Sequence, residues 1–135
     1  MSPRKQIEQL INQMEHYVEC WKQFNHYIMV ARSKEFTPDE EAQFLDVKSV
    51  IAQDYEVILA TIDGGVPSKE EVHSLLTEAP SIRCLSELNE GGIKAIESKW
   101  HKLYISWQSM LGQLKVKQQQ MEAESGWSLF RRKKS

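Results

Sequence analysis

Residues 7–31 read IEQLINQMEHYVECWKQFNHYIMVA, and the placing of their apolar side chains decides the fold class. Ile7, Met14, Trp21 and Ile28 recur seven apart, and Leu10, Tyr17, Phe24 and Ala31 form a second register beside them. Ile11 and Val18 widen the stripe. Such spacing, kept up over about four heptads, belongs to an α-helix that buries one face against other helices. Upstream, Pro3 behind Ser2 suits a helix start: the serine caps, and proline occupies a first-turn position whose N–H has no helical acceptor anyway. The spacing predicts a helix from about residue 3 to about residue 33.

Downstream, Thr37-Pro38-Asp39-Glu40 is a second start signal, a capping box with acidic groups at the positive end of the helix dipole. Phe44, Val47, Ile51, Tyr55, Ile58 and Ile62 mark its apolar face, broadened by Val50 and Val57, and Gly64-Gly65 stops it. The short interval between the two helices predicts an antiparallel hairpin. Ser68 to Glu71 behind Pro67 forms another capping box, opening a short helix through Val72, Leu75 and Leu76. Pro80 interrupts, and Ile82, Leu85 and Leu88 suggest one more short piece before a break at Asn89 to Gly92. Ile93, Trp100, Trp107, Leu114 and Met121 then stand seven apart, with Ile96, Leu103 and Met110 in the companion register and Tyr104 and Leu111 alongside. A helix from about 90 to 124 would be roughly 50 Å long. The expected fold is all-α, an elongated antiparallel helical bundle of three long helices with a broken, short helical fourth segment. The bundle domain is expected over residues 1–124 and a basic, aromatic C-terminal tail over 125–135.

The chain has 135 residues, enough for one domain with a real core, and its 41% hydrophobic and 27% charged content excludes wholesale disorder. Cys20 and Cys84 are too few for a disulfide scaffold and read as small buried apolar residues. No apolar leader or spanning run appears, since Glu8, Glu15 and Glu19 break up the first twenty residues, and the expected compartment is the cytoplasm. Charge is unevenly placed. Of 17 basic and 19 acidic residues, six basic ones are terminal: Arg4, Lys5, Arg131, Arg132, Lys133 and Lys134. Residues 6–130 therefore carry 11 basic against 19 acidic side chains, a net −8, although the whole chain is only −2. An acidic body argues against a nucleic-acid groove.

Catalytic signatures are missing from the sequence. A di-metal carboxylate bundle needs two Glu-x-x-His motifs, and Glu70 with His73 supplies the only one. Glu97 with His101, and Glu15, His16 and Glu19, flank the apolar registers instead of sitting in them. The glycine pairs lack the strand, spacing and lysine of a phosphate loop, and there is no nucleophile elbow. The expectation is a protein that is not an enzyme, with no cofactor, no metal and no catalytic residue. Trp21, Trp100 and Trp107 are expected to fill core volume, with the lining of an apolar ligand pocket as the competing reading.

Two groups of residues remain as candidate partner sites. Asn25, Asp54 and Lys117 fall on or beside apolar registers, where polar groups can fix helix register or meet across an oligomer interface. In the tail, Trp127, Leu129 and Phe130 immediately precede Arg131, Arg132, Lys133 and Lys134. Bulky anchors beside cations suit docking to a protein partner or to a second copy of the chain, and also suit an anionic membrane surface. The function expected from the sequence is a non-catalytic α-helical interaction or scaffold module, self-associating and docking through the tail. The alternatives are a peripheral membrane adaptor attached by the tail, and a bundle protein or enzyme that binds a metal or an apolar ligand.

Overall fold

The structure is a computed structural model that describes residues 2–62 and 64–134, with side chains described as far as residue 126. Among the described residues all regular structure is helical. The chain order is α1 (Pro3–Ser33), α2 (Pro38–Thr61), α3 (Lys69–Glu78), α4 (Ile82–Ser86) and α5 (Glu90–Lys134).

The helix ends follow the capping chemistry. The Ser2 side chain accepts the Lys5 N–H, and Pro3 stands in the first turn of α1. Lys34 closes α1 in the left-handed region at φ 62°, its N–H donating to the Ala31 carbonyl. Both halves of the Thr37–Glu40 box are made, at 3.1 and 3.0 Å, and both halves of the Ser68–Glu71 box. α2 stops at Thr61, and Gly64 and Gly65 follow at φ 76° and 77°, a conformation that other residues adopt only at a cost. The expected break at Asn89 to Gly92 is narrower than the glycines suggest. The Asn89 side chain accepts the Gly92 N–H at 2.8 Å, so both glycines lie within the first turn of α5. That helix also runs through Ser125 and Gly126, past the end expected near residue 124.

α1 packs against α5, α2 and α4, while α3 lies on α5. The centre is aromatic: Trp21, Trp107, Tyr17, Tyr55, Phe24 and Phe44 are all fully buried. The Tyr17 and Trp107 rings meet edge to face at 4.8 Å, Tyr55 reaches Trp107 at 6.0 Å, and Phe24 reaches Phe44 at 5.3 Å. These are the offset and T-shaped arrangements that ring quadrupoles favour. Tyr55 also donates its hydroxyl to the buried Pro67 carbonyl at 2.7 Å, fastening the α2–α3 connection to α2. Glu41, in the first turn of α2, accepts the N–H groups of Ile82 and Arg83 at 3.2 and 2.7 Å and so holds the amino end of the short α4. At the surface Arg32 pairs with Glu90 and Glu97, and Lys115 with Glu15. Exposed pairs of this kind contribute at most about 1 kcal/mol each. They record which stretches of α1 and α5 lie side by side. Among the described residues no helix is long and apolar enough to cross a membrane.

Candidate functional site

The three polar residues singled out on the apolar registers go to three different places. Asn25 is half-buried and lines an open groove between α1 and α5. Lys117 is exposed and borders a cleft of about 520 Å³ where Ile7 and Leu10 of α1 meet Leu114 and Met121 of α5. Asp54 is half-buried on α2 and faces the middle of α1. The tail residues Trp127, Leu129, Phe130, Arg131, Arg132, Lys133 and Lys134 have side chains outside the described residues.

Asp54 has the most informative surroundings. Four residues apart on one face of α1, His16 and Cys20 come together, His16 Nε2 lying 3.8 Å from Cys20 Sγ. The Asp54 carboxylate joins them from α2, so that one donor atom from each residue falls within 4.8 Å of the others. His16 is exposed, Asp54 half-buried and Cys20 buried, so the cluster runs from the surface into the core. Among the described residues Asp54 makes no ion pair and no hydrogen bond. Burial pushes the Cys20 thiol above its ordinary pKa, and the charges of Asp54 and Glu19 add to the shift.

Tyr17 lies behind this cluster. Its ring is fully buried, and its hydroxyl has no hydrogen-bond partner among the described residues. Burial above all raises the phenol's pKa; the Trp21 side chain near the hydroxyl acts against that rise, and Tyr55, Asp54 and Cys20 add to it. The indole N–H groups of Trp21 and Trp107 are likewise buried without a partner. A buried group left fully unsatisfied costs about 1–3 kcal/mol, and the nearness of the Trp21 side chain to the Tyr17 hydroxyl lessens that cost for this pair.

The groove that holds Asn25 is the second site. Its volume is about 820 Å³, and Met29, Trp100 and Ile105 supply its apolar surface. Met29 is 59% exposed and Ile105 50%. Trp100 is half-buried. Its indole stacks on Tyr104 at 4.7 Å and donates its N–H to the Trp21 carbonyl at 2.7 Å. Lys94, Lys102 and His101 stand around the groove, together with Arg32, which is already paired with Glu97. Trp21 and Trp107 thus fill core volume as expected, whereas Trp100 forms a wall open to solvent.

Other sequence candidates are dispersed. Glu97 is taken up by Arg32, and His73 is exposed on α3. Cys20 is buried as expected. Cys84 is exposed, because α4 turns Ile82 and Leu85 inward and leaves the position between them outside. The link between Cys20 and His16 was missed from sequence, although its signal was present in their four-residue spacing. By spacing alone His16 belongs with its charged neighbours Glu15 and Glu19, and Cys20 with the buried apolar residues. No protein-family model, curated protein or solved structure matches the chain.

Proposed function

We propose that this protein is a non-catalytic α-helical interaction or scaffold module that acts in the cytoplasm, associates with a second copy of itself and docks through its basic, aromatic C-terminal residues. Its architecture in this reading is an elongated antiparallel bundle of three long helices, α1, α2 and α5, with α3 and α4 as the broken fourth segment. The pairing of Arg32 with Glu97 and of Glu15 with Lys115 supports opposite directions for α1 and α5.

The single observation that carries the interaction reading is the uncovered apolar groove between α1 and α5. Side chains such as Met29 and Ile105, half exposed on either side of a large aromatic, form a patch of the kind that marks association surfaces. A second copy is the occupant we propose. Lys94 and Lys102 at the groove make no ion pair among the described residues, while residues 6–130 of each chain carry a net −8. These lysines can meet acidic side chains of a second copy, working against the general repulsion between two like-charged bodies.

Sedimentation equilibrium over a range of protein concentrations tests this. The expected result is a dimer that weakens with added salt, and that becomes a monomer on joint Met29→Glu and Ile105→Glu substitution with the melting temperature within a few degrees. A monomer at every concentration overturns self-association. Removal of residues 126–135 tests the docking segment separately. If the truncated protein assembles as the full chain does, but loses binding to anionic vesicles, the cationic end serves a membrane and not a protein.

A further inference from the structure

We propose that His16, Cys20 and Asp54 form a binding site for a divalent transition metal ion of borderline softness, Zn²⁺ foremost, with a solvent molecule in the fourth position.

The donor set selects the ion. A thiolate, an imidazole and a carboxylate together match Zn²⁺ and its spectroscopic substitute Co²⁺, whereas Mg²⁺ and Ca²⁺ require oxygen ligands throughout. Geometry is close to what such an ion needs. With Zn–S of about 2.3 Å and Zn–N and Zn–O of about 2.0–2.1 Å, tetrahedral ligand atoms stand roughly 3.3–3.6 Å apart. His16 Nε2 and Cys20 Sγ are 3.8 Å apart, and all three donors lie within 4.8 Å of one another. Side-chain torsions alone can take up the remaining contraction, since each ligand stands on a long, well-packed helix and none belongs to a loop.

Two further observations separate this cluster from a chance meeting of polar side chains. The first is Asp54. A carboxylate half-withdrawn from water between two helices is normally held by an ion pair or hydrogen bonds, and among the described residues this one makes neither, with the His16 and Cys20 side chains near it but not bonded to it. A metal ion would supply the missing charge. It would also turn the repulsion between Asp54 and an ionised Cys20 into shared attraction to one centre. The second is Tyr17, next to His16 on α1, whose fully buried hydroxyl has only the Trp21 side chain near it, makes no hydrogen bond of good geometry and lies within electrostatic reach of Asp54 and Cys20. Metal ligands and bound solvent accept hydrogen bonds from just such outer groups, which orient them. The exposed His16 gives an ion a path from solvent, and the buried sulfur gives it a low-dielectric inner wall.

Binding balances as a proton exchange. The Cys20 S–H bond breaks, its proton leaves to solvent, and the sulfur electron pair forms the metal–sulfur bond with no change of oxidation state. Because His16 and Cys20 belong to α1 and Asp54 to α2, the ion would clamp these two helices together. A ligand that binds only the folded chain stabilises it by mass action. None of this depends on the proposed self-association.

The test uses the full-length chain, stripped with chelator and titrated with Co²⁺. The expected outcome is one ion per chain, a thiolate-to-cobalt charge-transfer band with the intense visible bands of tetrahedral cobalt, and displacement of both by one equivalent of Zn²⁺. His16→Gln, at an exposed position, and Asp54→Asn, nearly isosteric, should each weaken the affinity about tenfold or more. Cys20→Ala should abolish the charge-transfer band, and Cys84→Ser should leave it unchanged. Zn²⁺ should raise the melting temperature of the native chain but not that of His16→Gln. The proposal is overturned if cobalt binds only with weak octahedral bands, if the thiolate band follows Cys84 instead of Cys20, or if folded His16→Gln binds as tightly as the native chain.

Discussion

Trp100 and Trp107 stand seven residues apart on the same register of α5, yet one walls an open groove and the other is fully buried. The difference lies in what else reaches them. Trp107 meets Tyr17 from α1 and Tyr55 from α2, so rings from two helices close over it. Trp100 lines the groove beside α1 residues, stacks on Tyr104 of its own helix and uses its N–H on the Trp21 carbonyl. A heptad register sets the direction in which a side chain points. Whether that direction leads to the core depends on a third element lying across the pair. A straight helix also drifts by about 20° per heptad, which turns successive positions of one register away from a fixed partner.

The largest expected effect is the contrast between the two indoles. Trp107→Ala should cost about 3–5 kcal/mol, the range for an aromatic side chain removed from a packed core. Trp100→Ala should cost clearly less, because part of its surface already faces water in the native chain. Urea unfolding of the two variants measures this directly. Equal losses would mean that the α1–α5 groove is as well packed as the centre, and the comparison would fail.

A smaller effect tests the idea of a covering element. α4 has only five helical residues, and the Glu41 carboxylate holds its amino end through the Ile82 and Arg83 amides. Glu41→Ala should lower stability by about 1–2 kcal/mol, as loss of a helix cap does, with faster amide exchange confined to residues 82–86. If protection falls equally in α1 and α2, α4 is not a separate cover. The groove at Trp100 has no counterpart to this short pinned helix.

Much of the helical layout was legible because it is written in local chemistry. Ser2, Thr37 and Ser68 cap the helices they were expected to cap, and α1 runs over the expected residues. Gly91 and Gly92 misled in part, since glycine suggests a break, while the Asn89 cap allows helix to form across it. Trp100 was not distinguishable from Trp107, because coverage by another helix is a tertiary fact with no local signal. The same holds for the cluster at Asp54. Its half-buried place beside the apolar face was readable from spacing. Its neighbours His16 and Cys20 were not, since the meeting depends on how α2 sits against α1. Sequence periodicity ranks positions along one helix and is silent on the rotation of the next.

Tyr27 provides the finest version of the comparison, because it combines both situations in one side chain. Its ring is buried against Phe44 at 5.6 Å, while its hydroxyl donates to the exposed Gln43 Oε1 at 2.9 Å. Burial raises the phenol's pKa, with the charge of Glu40 adding to the shift. The folded state therefore prefers the protonated phenol more than the unfolded chain does. Its stabilising effect is complete below the unfolded value of about 10 and is lost as pH rises through the higher folded value. Tyr27→Phe cannot ionise at this position, while every other tyrosine titrates as before. The variant should lose about 0.5–1.5 kcal/mol at neutral pH through the missing hydrogen bond. Above about pH 10 the gap to the native chain should then narrow, as the native phenol ionises at a cost the variant does not bear. Unfolding free energies measured from neutral to alkaline pH give the gap at each point. A constant gap would place the Tyr27 oxygen effectively in water, with its ring alone belonging to the sealed side of the molecule.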